Sequence, residues 1–178
     1  MELKIALWNC NGLTQKQRVS ELQSFLIIND IDIILLSETH FASKNFLSLP
    51  NYSFYCCNHP DNKAHGGSAI LIKSSIKHCQ DSKFCEDYLQ ATTIVTEEVR
   101  GKISFSALYF PPRHSISHEM YCTYFDRLGA HFVTGGDFNA KHPWWGSRLQ
   151  VPNPEGCTLY SVIADRKYST ISPGEPTY

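Results

Sequence analysis

Apolar residues along this chain recur with two different periods. The run "LKIALWN" (Leu3–Asn9) is short and rich in apolar residues, and reads as a buried strand. Asn11-Gly12 then signals a turn. Val19, Leu22, Phe25 and Leu26 repeat at helical spacing, and Thr14 with Gln17 has the form of a capping box, so a helix is expected from about Thr14 to Ile28. The run "IDIILLSETH" is too short for an ordinary helix and reads as a second strand ending in polar residues. Strand, helix, strand is a βαβ unit, whose crossover favours parallel strands.

Further β-like runs follow: "YSFYCC", "GSAILIK", "LQATTIVTEE" and "KISFSALYF", the last closed by Pro111 and Pro112. A second helix is expected from Ser117 to Leu128, with Tyr121, Tyr124, Phe125 and Leu128 on one face and Gly129 as its stop. "HFVTGG" reads as another strand. "EGCTLYSVIADR" reads as a helix, with Leu159, Val162 and Ile163 at helical spacing. The segment "KYSTISPGEPTY" is punctuated by proline and glycine. With no repeat, linker or low-complexity segment, the pattern is that of one layered α/β or α+β domain.

Polar clusters fall just after the strand-like runs. Asn9 and Asn11 follow the first, and Glu38 and His40 the second. Tyr109 ends "ISFSALY", and Asp137, Asn139 and His142 follow "HFVTGG". Taken alone, "GGDFNAKH" is a good turn sequence. Four such clusters point instead to one pocket, because sites in layered sheets gather at strand ends. The residue types suit hydrolysis of a phosphate ester. Glu38 is a hard oxygen ligand suited to Mg²⁺, Asp137 an acid that can orient or deprotonate water, and Asn9 and Asn139 donors to phosphate oxygens that add no charge. Tyr109 offers a phenol to the same oxygens. Cys10 has no evident His-Asp pair, so attack by metal-assisted water is expected rather than a covalent intermediate. Trp144 and Trp145 fit either a core or a surface on which bases stack. His59, His65 and His114 read as surface or structural residues, with His65 the one worth testing. "HPDNKAHGGSAIL" lacks the lysine and helix start of a P-loop.

Composition narrows the class. At 178 residues, 42% hydrophobic and 12% aromatic, the chain is long and apolar enough for one folded domain with a real core. A formal net charge of -1 is not that of a broadly basic nucleic-acid binder, so any approach to DNA would run through a local patch and metal ions. The start "MELKIALWNC" lacks a signal peptide's charged and small-residue parts, and no apolar run approaches the ~20 residues of a membrane span. Seven cysteines, an odd number, then read as free thiols of an intracellular protein without disulfides. There is no C-x-x-C, and adjacent Cys56 and Cys57 make a poor clamp, so no structural zinc is expected.

The motifs "WNCNG" (Trp8–Gly12), "LLSETH" (Leu35–His40), "YFPP" (Tyr109–Pro112) and "GGDFNAKHPWWGS" (Gly135–Ser147), in this order, resemble the endonuclease/exonuclease/phosphatase superfamily. "NHPDNKAHGGSAILI", "LQAT" and "HPWWGSR" resemble the endonuclease domain of jockey-type non-LTR retrotransposons, and the likeness runs from Leu3 to Tyr178. It implies a four-layer α/β sandwich of the deoxyribonuclease type, with two facing β-sheets flanked by helices. It also implies a Mg²⁺-dependent (or Mn²⁺-dependent) nick in target DNA that primes reverse transcription, a reverse transcriptase domain in the parent protein, and work in the nucleus. Glu38 would be the metal ligand and Asp137 would handle the water. Tyr109 would contact the scissile phosphate. Asn9, Asn11 and Asn139 would contact phosphate or DNA, with Thr177 and His142 near the DNA face. The family pattern continues to a further Asp and a Ser-Asp-His motif, which these 178 residues do not contain. The chain is therefore expected to be a single domain, residues 1–178, lacking its last strands, with a catalytically inactive remnant as the alternative reading. A phosphatase or sphingomyelinase of the same superfamily is the more distant one.

Overall fold

The computed structural model describes residues 2–81, 83–98, 101–146 and 151–171. In chain order its elements are β1 (Ile5–Asn9), α1 (Lys16–Ile28), β2 (Ile33–Ser37), β3 (Tyr52–Cys57), β4 (Ser68–Lys73), β5 (His78–Gln80), β6 (Phe84–Glu86), β7 (Leu89–Glu98), β8 (Gly101–Tyr109), α2 (His118–Arg127), β9 (Phe132–Asp137), a 3-10 turn (Pro143–Trp145) and α3 (Pro154–Arg166). They form two compact units: Met1–Pro111 with Leu128–Asp137, and Pro112–Arg127 with Phe138–Tyr178.

The first unit holds both sheets. One is four-stranded, in the order β1-β2-β4-β3. The other runs β5-β7-β8-β9, with β6 also paired to β7. The expected βαβ unit is present: β1 and β2 are parallel, in register from Ile5↔Ile33 to Asn9↔Ser37. β8 and β9 are the second parallel pair, in register from Ser104↔Phe132 to Tyr109↔Asp137. Every residue of β2 is buried, and the two-residue period of a strand explains why. Ile34 and Leu36 pack with Leu22 and Leu26 of α1, while Ile33 and Leu35 pack with Ile94, Phe105 and Ala107 of the other sheet. A strand buried on both faces reads as one continuous apolar run, as this one does. The result is the expected mixed α/β sandwich, with two facing sheets and α1 on the outer face of the first. A polar bridge crosses the layer: Thr92 Oγ1 lies 2.9 Å from Ser68 Oγ and donates to the Ser68 carbonyl at 3.1 Å.

The second unit is built on α2 and α3. Arg166 donates to both carboxylate oxygens of Asp126, at 2.7 and 3.2 Å, and His118 Nε2 lies 3.2 Å from Asp165 Oδ2. Tyr121, Tyr124 and Phe125 of α2 are buried, as their spacing predicts.

Three features differ from the sequence reading. The Thr14/Gln17 capping box does not form, because α1 begins two residues later with Gln15 as its N-cap and no side-chain cap bond. Burial of Leu22 and Leu26 supplies what the cap does not. β5 and β6 went unforeseen, since three-residue strands are too short to display a period. α3 starts at Pro154 rather than Glu155, with Asn153 as a true cap accepting from Gly156 N–H. Among the described residues no helix is long and apolar enough to cross a membrane.

Candidate active site

The ends of the two parallel pairs carry the chemistry of the first unit. β1 ends on Asn9, and β2 ends on Ser37 just before Glu38. β8 ends on Tyr109, paired across the sheet with Asp137, the last residue of β9. Parallel strands present their carboxyl ends together, so each sheet delivers its polar groups at one edge.

One amide joins them. Asn9 Nδ2 donates to Glu38 Oε1 at 2.7 Å and to Asp137 Oδ2 at 3.0 Å, a pair of residues 128 apart in sequence in the second case. Asn9 Oδ1 accepts from the Asn11 amide at 3.1 Å, which fixes which way the carboxamide points. Both N–H groups of the amide thus serve the acids. In this arrangement Asn9 holds two carboxylates together, and carboxylate oxygens are the hard donors a divalent cation takes. His40 Nε2 lies 3.5 Å from Glu38 Oε2, too long for a good hydrogen bond but close enough for charge attraction when the imidazole is protonated.

The backbone around these groups is unusual. Asn11, Glu38 and His40 all have φ in the left-handed region, at 39°, 54° and 53°. Such residues cost on the order of 1–3 kcal/mol each and persist only where their surroundings dictate them. Here Gly12 N–H donates to the Glu38 carbonyl at 2.7 Å, Leu13 N–H to Thr39 at 2.9 Å, and His40 N–H to Gly66 at 2.9 Å. Arg18 reaches from α1 to the Cys10 carbonyl and, at 3.4 Å, to that of Asn11. Cys10 is fully buried, and its Sγ donates to the Ser37 carbonyl at 3.0 Å. Burial pushes its thiol up to about 12, so it is no thiolate nucleophile at neutral pH.

Glycines bring the strands close enough. A Cβ on Gly136 would fall on the Leu108 carbonyl oxygen, and one on Gly135 on the Leu7 side chain. Gly136 is therefore a packing requirement of β9, since backbone cannot give way, whereas the half-exposed Leu7 side chain beside Gly135 can move. Gly66 fills the same role beside Tyr109: a Cβ there would lie 2.8 Å from Gln90 Oε1 and 3.2 Å from Tyr109 Cε1. Gln90 pairs with Tyr109 across β7 and β8, is fully buried, and accepts from Gly67 N–H at 3.3 Å. It was not foreseen as a site support. Its signal was a lone amide in a strand otherwise apolar or hydroxyl-bearing up to its two terminal glutamates.

Asn139 and His142 belong to the second unit. Asn139 has φ 47°, and its carbonyl accepts from Asn153 Nδ2 at 2.8 Å. His142 caps the 3-10 turn, its Nδ1 accepting from Trp144 N–H at 3.1 Å, and its ring stacks on Tyr160 at 4.5 Å and 9°. Trp145 Nε1 donates to the Ala140 carbonyl, whereas Trp144 is 59% exposed and is not a core residue. Thr177 and Ser147 lie outside the described residues.

The endonuclease/exonuclease/phosphatase family model matches residues 6–176, a span that takes in every one of these groups but one, Thr177. The chain belongs to the endonuclease/exonuclease/phosphatase family. Within this family it is 37% identical, over 99% of its length, to the RNA-directed DNA polymerase from mobile element jockey of Drosophila melanogaster. It is 32% identical, over 99% of its length, to a probable RNA-directed DNA polymerase from transposon X-element of the same species. In each case the chain spans 19% of the relative, about a fifth. Its fold is similar to the endonuclease domain of TRAS1, a telomere-specific non-LTR retrotransposon, with a TM-score of 0.72 at 17% identity over 92% of this chain and 70% of that one. It is also similar to the AP endonuclease LMAP from Leishmania major, with a TM-score of 0.68 at 15% identity over 91% and 66%.

Proposed function

We propose that this domain is a metal-dependent DNA endonuclease that nicks target DNA for a non-LTR retrotransposon. The observation that carries the reading is the single Asn9 amide holding Glu38 and Asp137 together. The likeness to jockey proteins supports the biological setting, in which a reverse transcriptase in the same parent protein extends the nicked end in the nucleus.

Nucleases of this family are metal-dependent, and the acid pair fits Mg²⁺, with Mn²⁺ as a substitute, because it offers hard carboxylate oxygens. Glu38 is the ligand we assign. The bound cation would neutralise charge on the phosphate and lower the pKa of water. The chain's own groups do the rest. Asp137 orients the attacking water and takes its proton. The water oxygen bonds to phosphorus, the bond to the 3′ oxygen breaks, and that oxygen takes a proton from solvent, leaving a 3′-hydroxyl and a 5′-phosphate. Asn9 keeps both acids in place, while Tyr109, Asn11 and Asn139 contact the phosphate. Trp144 offers an exposed aromatic face on which a base stacks. His142 and Thr177 complete the proposed DNA contacts.

The test is nicking of supercoiled plasmid. The protein should nick with MgCl₂ and not with EDTA, and DNA ligase should reseal the product. Glu38→Gln and Asp137→Asn should each lower the rate by at least about 100-fold. Nicking that persists in EDTA, or at full rate in Glu38→Gln, would overturn the assignment.

A further inference from the structure

The connection between β3 and β4 gathers three groups that the Asn9–Glu38–Asp137 set does not use. His59 is only 3% exposed, and its Nδ1 lies 2.9 Å from Asp61 Oδ1. His65 Nε2 lies 2.9 Å from Asp61 Oδ2. The two imidazole rings sit with centroids 4.0 Å apart. One nitrogen or oxygen from each of the three residues lies within 4.8 Å of the others. The sequence spacing is His-x-Asp-x-x-x-His on one short loop.

Two imidazoles and one carboxylate are the donors that zinc and its neighbours prefer, whereas magnesium takes oxygens alone. Tetrahedral zinc with bonds of about 2.0–2.1 Å brings its ligand atoms to about 3.4 Å from one another. On taking the ion the loop would bring its donor atoms, now within 4.8 Å of one another, to that spacing. In doing so it exchanges the His–Asp contacts for bonds to the ion. We propose that His59, Asp61 and His65 bind a zinc-type divalent ion, at a site separate from the Glu38 acid pair. Three protein ligands leave the fourth position to water.

The position gives the ion a structural consequence. The same loop runs on into Gly66 and Gly67, whose carbonyls accept from His40 N–H at 2.9 Å and Thr39 N–H at 3.4 Å. Those amides belong to the left-handed turn that carries Glu38. An ion on His59, Asp61 and His65 braces the strand connection against which that turn is hydrogen-bonded.

The experiment is calorimetric titration of the 178-residue protein with ZnCl₂ in excess MgCl₂, repeated with CoCl₂ and read by visible absorption. His65→Ala, Asp61→Asn and Glu38→Gln are run beside it, with circular dichroism to establish that each is folded. One zinc should bind per chain, and the cobalt form should give the intense bands of a four-coordinate ion. Glu38→Gln should bind as the parent does. His65→Ala and Asp61→Asn should each weaken binding at least about tenfold, since even outer partners of a metal site cost that much. Zinc should also raise the melting temperature of the parent and not of His65→Ala. No binding by the folded parent would overturn the proposal. So would binding that survives both loop substitutions, or binding lost in Glu38→Gln, which would place the ion on the acid pair.

Discussion

A methyl group at Gly136 has nowhere to go except onto the carbonyl oxygen of Leu108. Gly136→Ala should therefore destabilise the fold by at least about 1–3 kcal/mol, the usual cost of overpacking, and urea denaturation would measure it. A stability equal to the parent's would mean that β9 does not lie so close to β8. The same kind of local reasoning separates the thiols. Burial pushes Cys10 up from 9.0 to about 12, and raises Cys57 as well. A group whose pKa is higher in the folded state stabilises fully below its unfolded pKa and loses that contribution as pH rises. Stability should thus fall between about pH 9 and pH 12. At pH 8, alkylation followed by mass spectrometry should find Cys79, Cys85 and Cys157 modified, which are exposed, and Cys10 and Cys57 spared until denaturant is added. The residues that make the acid pair were legible in the sequence as polar clusters after strands. Their partners were less so. That Asn9 places its N–H groups on two carboxylates is announced by no spacing along the chain. His65 stands out in the sequence as the histidine of its loop worth testing, but its approach to His59 and Asp61 appears only in the fold.

At the scale of elements, α1 depends on its buried face. Leu26 is 1% exposed and Ile28 is 80% exposed. Leu26→Ala should cost about 2–5 kcal/mol, while Ile28→Ala should change stability by no more than about 0.5 kcal/mol. Equal effects on thermal or urea unfolding would contradict the layering of α1 on the first sheet. The long, strongly patterned elements were the readable ones. α1, α2 and β2 announce themselves through period and length, because burial of one face or both dictates their composition. The capping box failed for a related reason: packing of Leu22 and Leu26 decides where α1 forms, and a favourable local pair at Thr14 and Gln17 does not override it. β5 and β6 exist because β7 is long enough to pair both along one edge, a property of the partner strand rather than of their own three residues.

At the scale of the molecule, the fold's work is to bring strand ends that are far apart in sequence onto one amide. The two parallel pairs, β1–β2 and β8–β9, lie in different sheets of one sandwich, and their carboxyl ends supply Asn9, Glu38 and Asp137. The sequence order of these motifs made the fold class and the family legible. A formal charge of -1 gives no general attraction for DNA, so the proposed nicking would have to draw on a bound cation and on local contacts. If Asn9 and Asp137 act as one unit across 128 residues, their loss should not add. The direct measurement is a double-substitution cycle on the single-turnover rate of Mg²⁺-dependent plasmid nicking, using the parent, Asn9→Ala, Asp137→Ala and the double variant. Asn9→Ala should slow nicking by about 100-fold, the cost of misplacing a catalytic group by about an ångström. Asp137→Ala should slow it by about 100- to 10,000-fold, and the double variant should be no slower than Asp137→Ala within about threefold, a shortfall in additivity of the size coupled residues give. An Asn9→Ala protein that nicks at the parent rate, or a double variant whose defect is the product of the two single defects, would contradict the claim that one amide organises the site.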